Sequence, residues 1–255
     1  MNMIRGFLTF LLDIIRGRRV LWALAKNDFK ARFLTSFLGI VWAFAQPLII
    51  ILVFWFVFQV GFRTAPIKDV PFIVWFTPAY LIWSYFTEGL NASTNSLNEY
   101  SYLVKKVNFR VSMIPLVKVL SSSFVHIPFI GMIFFMIGYY DIGFSIYNLQ
   151  VLYYFACTVI LLVGLGWLLS SIAVFTGDVP NIVNLFIQIG FWMTPIVWSP
   201  DIMSPTVQNV LKLNPMFYIC RGYRDSFIDN IWFWQRGYTN LFFWVVTISL
   251  FFIGA

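Results

Sequence analysis

Residues Lys26–Val60 read KNDFKARFLTSFLGIVWAFAQPLIIILVFWFVFQV, and this stretch decides the fold. Its first third carries charges at helical spacing, whereas no charged residue occurs from Gly39 to Val60. At ~1.5 Å per residue, a helix over the uncharged run is roughly 30 Å long, which is enough to cross the hydrocarbon core of a bilayer. The stretch therefore predicts an amphipathic helix that leads directly into a membrane span.

The composition of the whole chain agrees with a membrane protein. Of the 255 residues, 60% are hydrophobic and only 11% are charged, and the mean hydropathy is +0.83. Soluble domains carry about 25% charged residues, so this chain has too little polar surface to be solvated in water. The net charge of +7 indicates membrane topology rather than nucleic-acid affinity, because Lys and Arg concentrate on cytoplasmic loops. Cys157 and Cys220 match neither a disulfide framework nor a metal site.

Apolar runs and short polar loops alternate along the rest of the chain. They predict an all-α integral membrane protein with six transmembrane helices, an N-terminal amphipathic interface helix, and short re-entrant or extracellular helices before the last span. Residues 1–37 form the cytoplasmic interface region, and residues 38–255 form the transmembrane domain. The spans lie at about residues 38–60, 72–90, 112–139, 149–175, 182–198 and 239–255.

Two amphipathic segments precede the first span. Apolar residues between Ile4 and Ile15 recur at helical spacing, and no small-residue cleavage site follows them, so we expect no cleavable signal peptide. In the second segment the spacing predicts one apolar stripe, opposite Lys26 and Lys30. Its members are Trp22, Ala25, Phe29 and Phe33.

The distribution of Lys and Arg predicts the orientation. Seven of them precede the first span, and four more lie between spans 2 and 3 or just inside span 3, so eleven fall on one side against six on the other. By the positive-inside rule, both termini are cytoplasmic.

Patterns that would indicate catalysis are absent from the sequence. There is no GxxxxGK[ST] phosphate loop, no HExxH and no CxxC, so we expect no catalytic residue and no metal site. His126, the only histidine, is interpreted as a hydrogen-bonded packing residue within span 3. The intramembrane charges are Glu88 and Lys118. We interpret them as structural, with Glu88 paired either to Lys118 or to the interface helix, rather than as an ion-coupling site.

Three separated motifs resemble one family. They are KNDFKARFLTSFLGIVWAFAQP (26–47), GDVPNIVNLFIQIGFWMTPIVW (177–198) and LNPMFYICRGYRDSF (213–227). In this order they resemble the ABC-2 type export permeases, and most of all the permeases for lipid-linked cell-surface polymers such as O-antigen polysaccharide, wall teichoic acid or polyol phosphate. The resemblance extends over essentially the whole chain.

The resemblance implies a transport subunit rather than an enzyme. It implies a homodimer of six-span subunits, embedded in membrane lipids of the bacterial cytoplasmic membrane, with two copies of a cytoplasmic ABC ATPase. ATP and Mg would be bound by that ATPase, so this chain would hold no cofactor of its own. The substrate would be a lipid-linked polymer, and nucleic acid would not be a partner.

The resemblance also assigns residues to three sites. The ATPase interface would contain Lys26, Asp28, Lys30, Arg32, Lys105, Lys106, Asn108 and Arg110. The channel would be lined by Trp42, Trp55, Phe191 and Trp192. The outer gate region would contain Asn214, Pro215, Arg221 and Arg224.

Three other functions stay open at this point. A membrane-embedded enzyme acting on lipid-linked glycan intermediates would use His126, Glu88 and the region 199–238. An ion-coupled carrier would show inverted repeats, for which only Pro47 against Pro195 gives a hint. An ABC-2 exporter of a drug or a small lipid would share the same motifs.

Overall fold

The structure is a computed structural model that describes residues 17–34, 38–67, 69–101 and 111–254. In these ranges it is helical, and the one β-type contact is an isolated bridge between Ile67 and Val70. The helices are α1 (Arg18–Leu34), α2 (Val41–Phe54), α3 (Phe72–Glu99), α4 (Met113–Tyr139), α5 (Val151–Ala173), α6 (Val179–Met193), α7 (Pro205–Leu211), α8 (Pro215–Arg224) and α9 (Gly237–Gly254).

Within the described residues, four helical stretches are long and apolar enough to cross a membrane, namely Val41–Gly61, Met113–Tyr139, Ile146–Ala173 and Phe233–Gly254. Three of them are longer than their named α-helix because other helical turns continue it. A π-helical segment, Trp55–Gly61, extends α2, and 3-10 segments precede α5 and α9. α6 is apolar but has only 15 residues.

The amphipathic segment before the first span is the helix α1, but its buried side differs from the predicted stripe. Leu21, Ala25 and Asp28 are buried, whereas Trp22 is 48% exposed. The rings of Trp22 and Phe29 lie at the edge of this contact, 5.1 and 5.5 Å from the ring of Phe124 in α4. The prediction missed Asp28 because hydropathy treats every carboxylate as solvent-facing. In the folded protein, Lys118 and Tyr100 bind this carboxylate in the interior.

α3 continues nine residues beyond the predicted end of span 2 at Leu90. The sequence turns polar there, which predicts a loop after Leu90. The hydroxyls of this part bond back to the helix itself, Ser93 and Thr94 to the carbonyl of Leu90 and Ser96 to that of Ser93. Hydropathy marks where an apolar surface ends, and a helix with satisfied polar side chains extends past that point.

The long helices run in alternating directions, as contacts between their ends show. At one end of the molecule, Lys118 near the start of α4 meets Glu99 at the end of α3, and the Asn98 amide donates to the carbonyl of Ala173, the last residue of α5. At the opposite end, the Asn148 amide, just before α5, donates to the Ser226 carbonyl, just after α8. We call these the α1 end and the α8 end.

Short helices occupy the region 200–236, where the sequence predicts them. They are a 3-10 turn at Pro200–Ile202, the helices α7 and α8, a π-helical turn at Asp225–Asp229 and the 3-10 turn at Phe233–Arg236. α8 is the buried one, and it packs against α3, α5 and α9. Gly222 is required in α8, because a Cβ there would lie 2.0 Å from the ring of Tyr154 in α5.

Candidate functional site

An open cleft of about 830 Å³ lies between α1, α2 and α3 at the α1 end. Its walls carry aromatic, polar and charged side chains together. They are Asp28, Ala31, Arg32, Phe33, Trp42, Ala43, Gln46, Pro47, Tyr80, Ser84, Thr87, Glu88, Asn91, Ala92, Asn95, Glu99, Tyr100 and Lys118. This volume falls within the range of small-molecule binding sites.

Asp28 of α1 is the centre of the charged part of the cleft. It is only 5% exposed, and its Oδ1 lies 2.7 Å from Lys118 Nζ of α4 and accepts a 2.6 Å hydrogen bond from the Tyr100 hydroxyl. Its Oδ2 lies 3.2 Å from Arg32 one turn further along α1. Burial alone would raise the pKa of Asp28, but the hydrogen bonds from Lys118 and Tyr100 outweigh it and hold the pKa below its ordinary value.

Two further carboxylates complete this group of charges. Glu88 Oε1 of α3 lies 2.6 Å from Arg32, and Glu99 Oε2 at the end of α3 lies 2.5 Å from Lys118. We call Asp28, Arg32, Glu88, Glu99 and Lys118 the ion-pair network. It ties the helix α1 to both α3 and α4, so a displacement of α1 has to break or carry these pairs.

Glu88 pairs with the interface helix, one of the two partners expected for it. Lys118, the other, is engaged by Asp28 and Glu99 instead. Lys118 is buried and Glu88 is partly exposed, and each of the two charges is neutralised by an ion pair.

Of the eight residues assigned to an ATPase interface, two are exposed, two face into the subunit and four lie outside the described residues. Lys26 and Lys30 lie on the exposed side of α1. Asp28 and Arg32 are turned into the subunit by the ion-pair network, so the Asp28 carboxylate is not at a surface that another protein can reach. Lys105, Lys106, Asn108 and Arg110 lie outside the described residues.

The four aromatic residues assigned to a channel do not lie together around the cleft. Trp42 lines it. Phe191 instead packs against Phe54 and Trp83 with ring centroids 6.0 and 6.2 Å apart. Trp192 is 62% exposed, and Trp55 is partly exposed.

One side of α3 supplies polar groups to the cleft, and the sequence reasoning missed it. Tyr80, Ser84, Thr87, Asn91 and Asn95 recur every three or four residues and all line the cleft. We call these five residues the polar side of α3. Their spacing is visible in the sequence. However, three of them precede the predicted end of span 2 at Leu90 and two follow it, so the pattern was divided between a span and a loop.

A second charged centre lies at the α8 end. Arg224 of α8 is 4% exposed, and its guanidinium donates to the carbonyl oxygens of Trp75, Pro195 and Ile196 at 3.0, 2.5 and 2.6 Å. It also lies 3.4 Å from the centroid of the Trp75 ring. We call this arrangement the Arg224 clamp, because it fixes the starts and ends of three elements, α3, α6 and α8.

The other residues assigned to an outer gate have structural contacts. Asn214 caps α8 through Oδ1 and donates from Nδ2 to Thr194 at 2.8 Å, and Pro215 is the first residue of that helix. Arg221 lies over the Phe217 ring at 6.0 Å.

His126 has the hydrogen-bonded environment that the sequence predicts. Its Nε2 lies 2.9 Å from the Tyr223 hydroxyl, and its ring stacks on Tyr85 at 4.9 Å. The described residues contain no group of three or more side chains able to hold a metal ion. Glu88 and Ser122 line the same small cavity as His126, but Glu88 pairs with Arg32 rather than with the imidazole.

Comparison with known proteins agrees with the motifs. Residues 19–228 match the family described as "ABC-2 type transporter". A protein from Klebsiella pneumoniae named "O-antigen export system permease protein RfbA" is 24% identical over 241 residues, covering 91% of this chain and 90% of the relative. A protein of the same name from Myxococcus xanthus is 24% identical over 224 residues, covering 86% of this chain and 84% of the relative.

Proposed function

This chain belongs to the ABC-2 type transporter family, and on that premise we propose that it is the transmembrane permease subunit of an ATP-driven exporter. Its substrate is a lipid-linked cell-surface polysaccharide that crosses the cytoplasmic membrane. Similarity to two O-antigen export permeases over more than four-fifths of the chain supports this substrate class.

The observation that carries the proposal is the ion-pair network. It joins α1, whose opposite side is exposed and basic, to two long helices, and it does so at the wall of an open cleft. A force that another protein applies to the exposed side of α1 therefore reaches α3 and α4 through paired charges. This is the connection that a pump driven by a separate motor subunit requires.

The motor is a partner ATPase in this proposal, since the sequence contains no phosphate loop. Two copies of it bind ATP and Mg and contact a homodimer of this chain. We assign their contact surface to Lys26 and Lys30 on α1 and to the loop with Lys105, Lys106, Asn108 and Arg110.

The membrane topology follows from the same assignment. Six spans place both termini in the cytoplasm, and the α1 end with its basic residues faces the cytoplasmic ATPase. α3 and α6 join the four long apolar stretches as spans, because they run between the same two ends of the molecule. The short helices between 200 and 229 then lie near the outer exit.

Co-purification tests the proposal directly. This chain is expressed with a tag beside the ATPase encoded next to it, and the solubilised complex is assayed for ATP hydrolysis. We expect a stoichiometric complex whose hydrolysis is inhibited by vanadate. An ATPase with a disabled phosphate loop is the control and should assemble without activity. A chain that purifies alone, with no ATPase bound under any nucleotide condition, contradicts the proposal.

The contact surface has its own test. Lys106→Glu and Arg110→Glu should reduce export while the complex still folds and hydrolyses ATP. Export at the unmodified rate in both variants would remove this loop from the transmission route.

A further inference from the structure

Polar groups on α2 and α3 face the cleft, and one of them has no partner in the described part of the chain. The Thr87 hydroxyl is buried at the cleft wall and makes no hydrogen bond there. The side chain of Asn91 is half-buried and that of Gln46 is exposed, so both are open to a ligand in the cleft. An unpaired buried hydroxyl is unfavourable, so a hydrogen-bonding occupant of the cleft stabilises Thr87.

The polar side of α3 is also long. Tyr80 and Asn95 are fifteen positions apart in one helix, which is a distance of about 22 Å. Aromatic rings accompany it, with Trp42, Tyr80 and Tyr100 in the same walls. Amides and hydroxyls for hydrogen bonding, combined with aromatic faces for packing on C–H surfaces, suit a chain of sugar rings.

The charges of the cleft restrict which polymer fits. Among the described residues that line it, Asp28, Glu88 and Glu99 carry negative charge, and Arg32 and Lys118 carry positive charge. Both cations are already engaged by carboxylates at 2.5–3.2 Å. No cation in these walls is left for a phosphate, and the remaining charge of −1 repels anions.

We propose that the polar side of α3, together with Gln46, is a binding track for an uncharged, hydroxyl-rich segment of the exported polymer. The inference rests on the proposed function and narrows it, because polyanionic polymers of the teichoic-acid class are disfavoured at this surface. It assigns contact with the substrate to Thr87 and Asn91 rather than to Trp55, Phe191 and Trp192.

Thiol protection tests the track. The variant Asn91→Cys is prepared in inverted membrane vesicles together with the ATPase, stalled with vanadate, and treated with a water-soluble maleimide. Cys157 and Cys220 are buried and give a low background. The vesicles come from cells that make the lipid-linked glycan and from cells blocked in its first glycosyl transfer.

We expect labelling of Asn91→Cys without glycan and at least a fivefold decrease with it. The matched control is Thr176→Cys, in the exposed connection between α5 and α6 at the α1 end, whose labelling should not depend on glycan. Equal labelling of Asn91→Cys in both vesicles, while the unmodified chain exports polymer in the same cells, overturns the track and leaves the proposed function intact. Failure of the unmodified chain to support any export contradicts the proposed function instead.

A second arm tests the charge inference. Glycan-free vesicles are preincubated with a neutral dextran oligosaccharide or with poly(glycerol phosphate) of the same length. We expect the dextran to slow labelling of Asn91→Cys more than the polyanion does. The reverse order contradicts the assignment of an uncharged segment.

Discussion

The two ends of the molecule both bury charge, but they stabilise it differently. At the α1 end, cations and carboxylates from α1, α3 and α4 pair with one another along an open cleft. At the α8 end, Asp225 also pairs with Arg236, but Arg224 is held by three backbone carbonyls and the face of Trp75, and the cavity beside it holds only about 20 Å³.

This difference indicates that the α1 end can rearrange, whereas the α8 end is fixed. Side-chain ion pairs can exchange partners when a helix moves, and the cleft leaves room for that movement. Backbone carbonyls cannot move without their helices, so the Arg224 clamp holds α3, α6 and α8 in one arrangement. We infer that motion imposed on α1 is taken up at the α1 end, while the α8 end keeps its shape.

The largest effect is expected from breaking the clamp. Arg224→Met removes one donor from each of three buried carbonyl oxygens, and a hydrogen bond to a charged group contributes about 1.5–3 kcal/mol. We expect a loss of stability of at least ~3 kcal/mol, measured by thermal unfolding of the purified chain. Arg221→Met, in the same helix, is the control; it removes a cation–aromatic contact with Phe217 at 6.0 Å and should lose no more than ~1 kcal/mol. Equal losses in both variants would contradict the clamp.

A smaller loss is expected from the ion-pair network. Lys118→Met deprives Asp28 of its shortest ionic contact, but Arg32 and Tyr100 remain, so we expect a loss of about 2–3 kcal/mol. Adding Asp28→Leu should recover part of it, because the second change removes the buried charge left behind. Lys30→Met, on the exposed side of α1, should change stability by less than ~0.5 kcal/mol. If the stability loss of the double variant equals the sum of the losses measured for Lys118→Met and Asp28→Leu alone, the two residues act independently.

The smallest effect on stability is expected when the pH is lowered. The pKa of Asp28 is lowered in the folded protein, so its contribution is complete above the unfolded pKa of about 4 and is lost as the pH falls through the folded value. Thermal unfolding between pH 6 and pH 3, at matched ionic strength, should show a decline below about pH 4 that is smaller in Asp28→Asn. An identical decline in both proteins would remove Asp28 as its source.

Much of the architecture could be predicted from the sequence. Gly39–Val60 defines a span by hydropathy alone, and three motifs in order indicated the family, which the match over residues 19–228 confirms. The helical state of Asn91–Glu99 was not predictable from hydropathy, since a helix can continue through polar residues whose hydroxyls are satisfied by its own backbone.

The site was harder to predict because its residues come from four helices. Glu88 and Lys118 stood out as charges in apolar runs, but Asp28 lay among ordinary interface residues until the fold brought Lys118 and Tyr100 to it. Trp42 lines the cleft and Trp192 does not, although both are exposed and nothing in the local sequence distinguishes them. Contacts between distant segments decide such cases.

The most direct test of the account is an uncoupling measurement on Arg32 and Glu88. This pair is partly exposed, at 25% and 36% of the side chains, so losing it should change stability by no more than ~1 kcal/mol. In the complex with its ATPase, we predict that Arg32→Gln and Glu88→Gln keep vanadate-sensitive ATP hydrolysis but lower polymer export at least tenfold. Export at the unmodified rate in both single variants, with normal ATP hydrolysis, would contradict the claim that the ion-pair network transmits motion from α1 to the membrane helices.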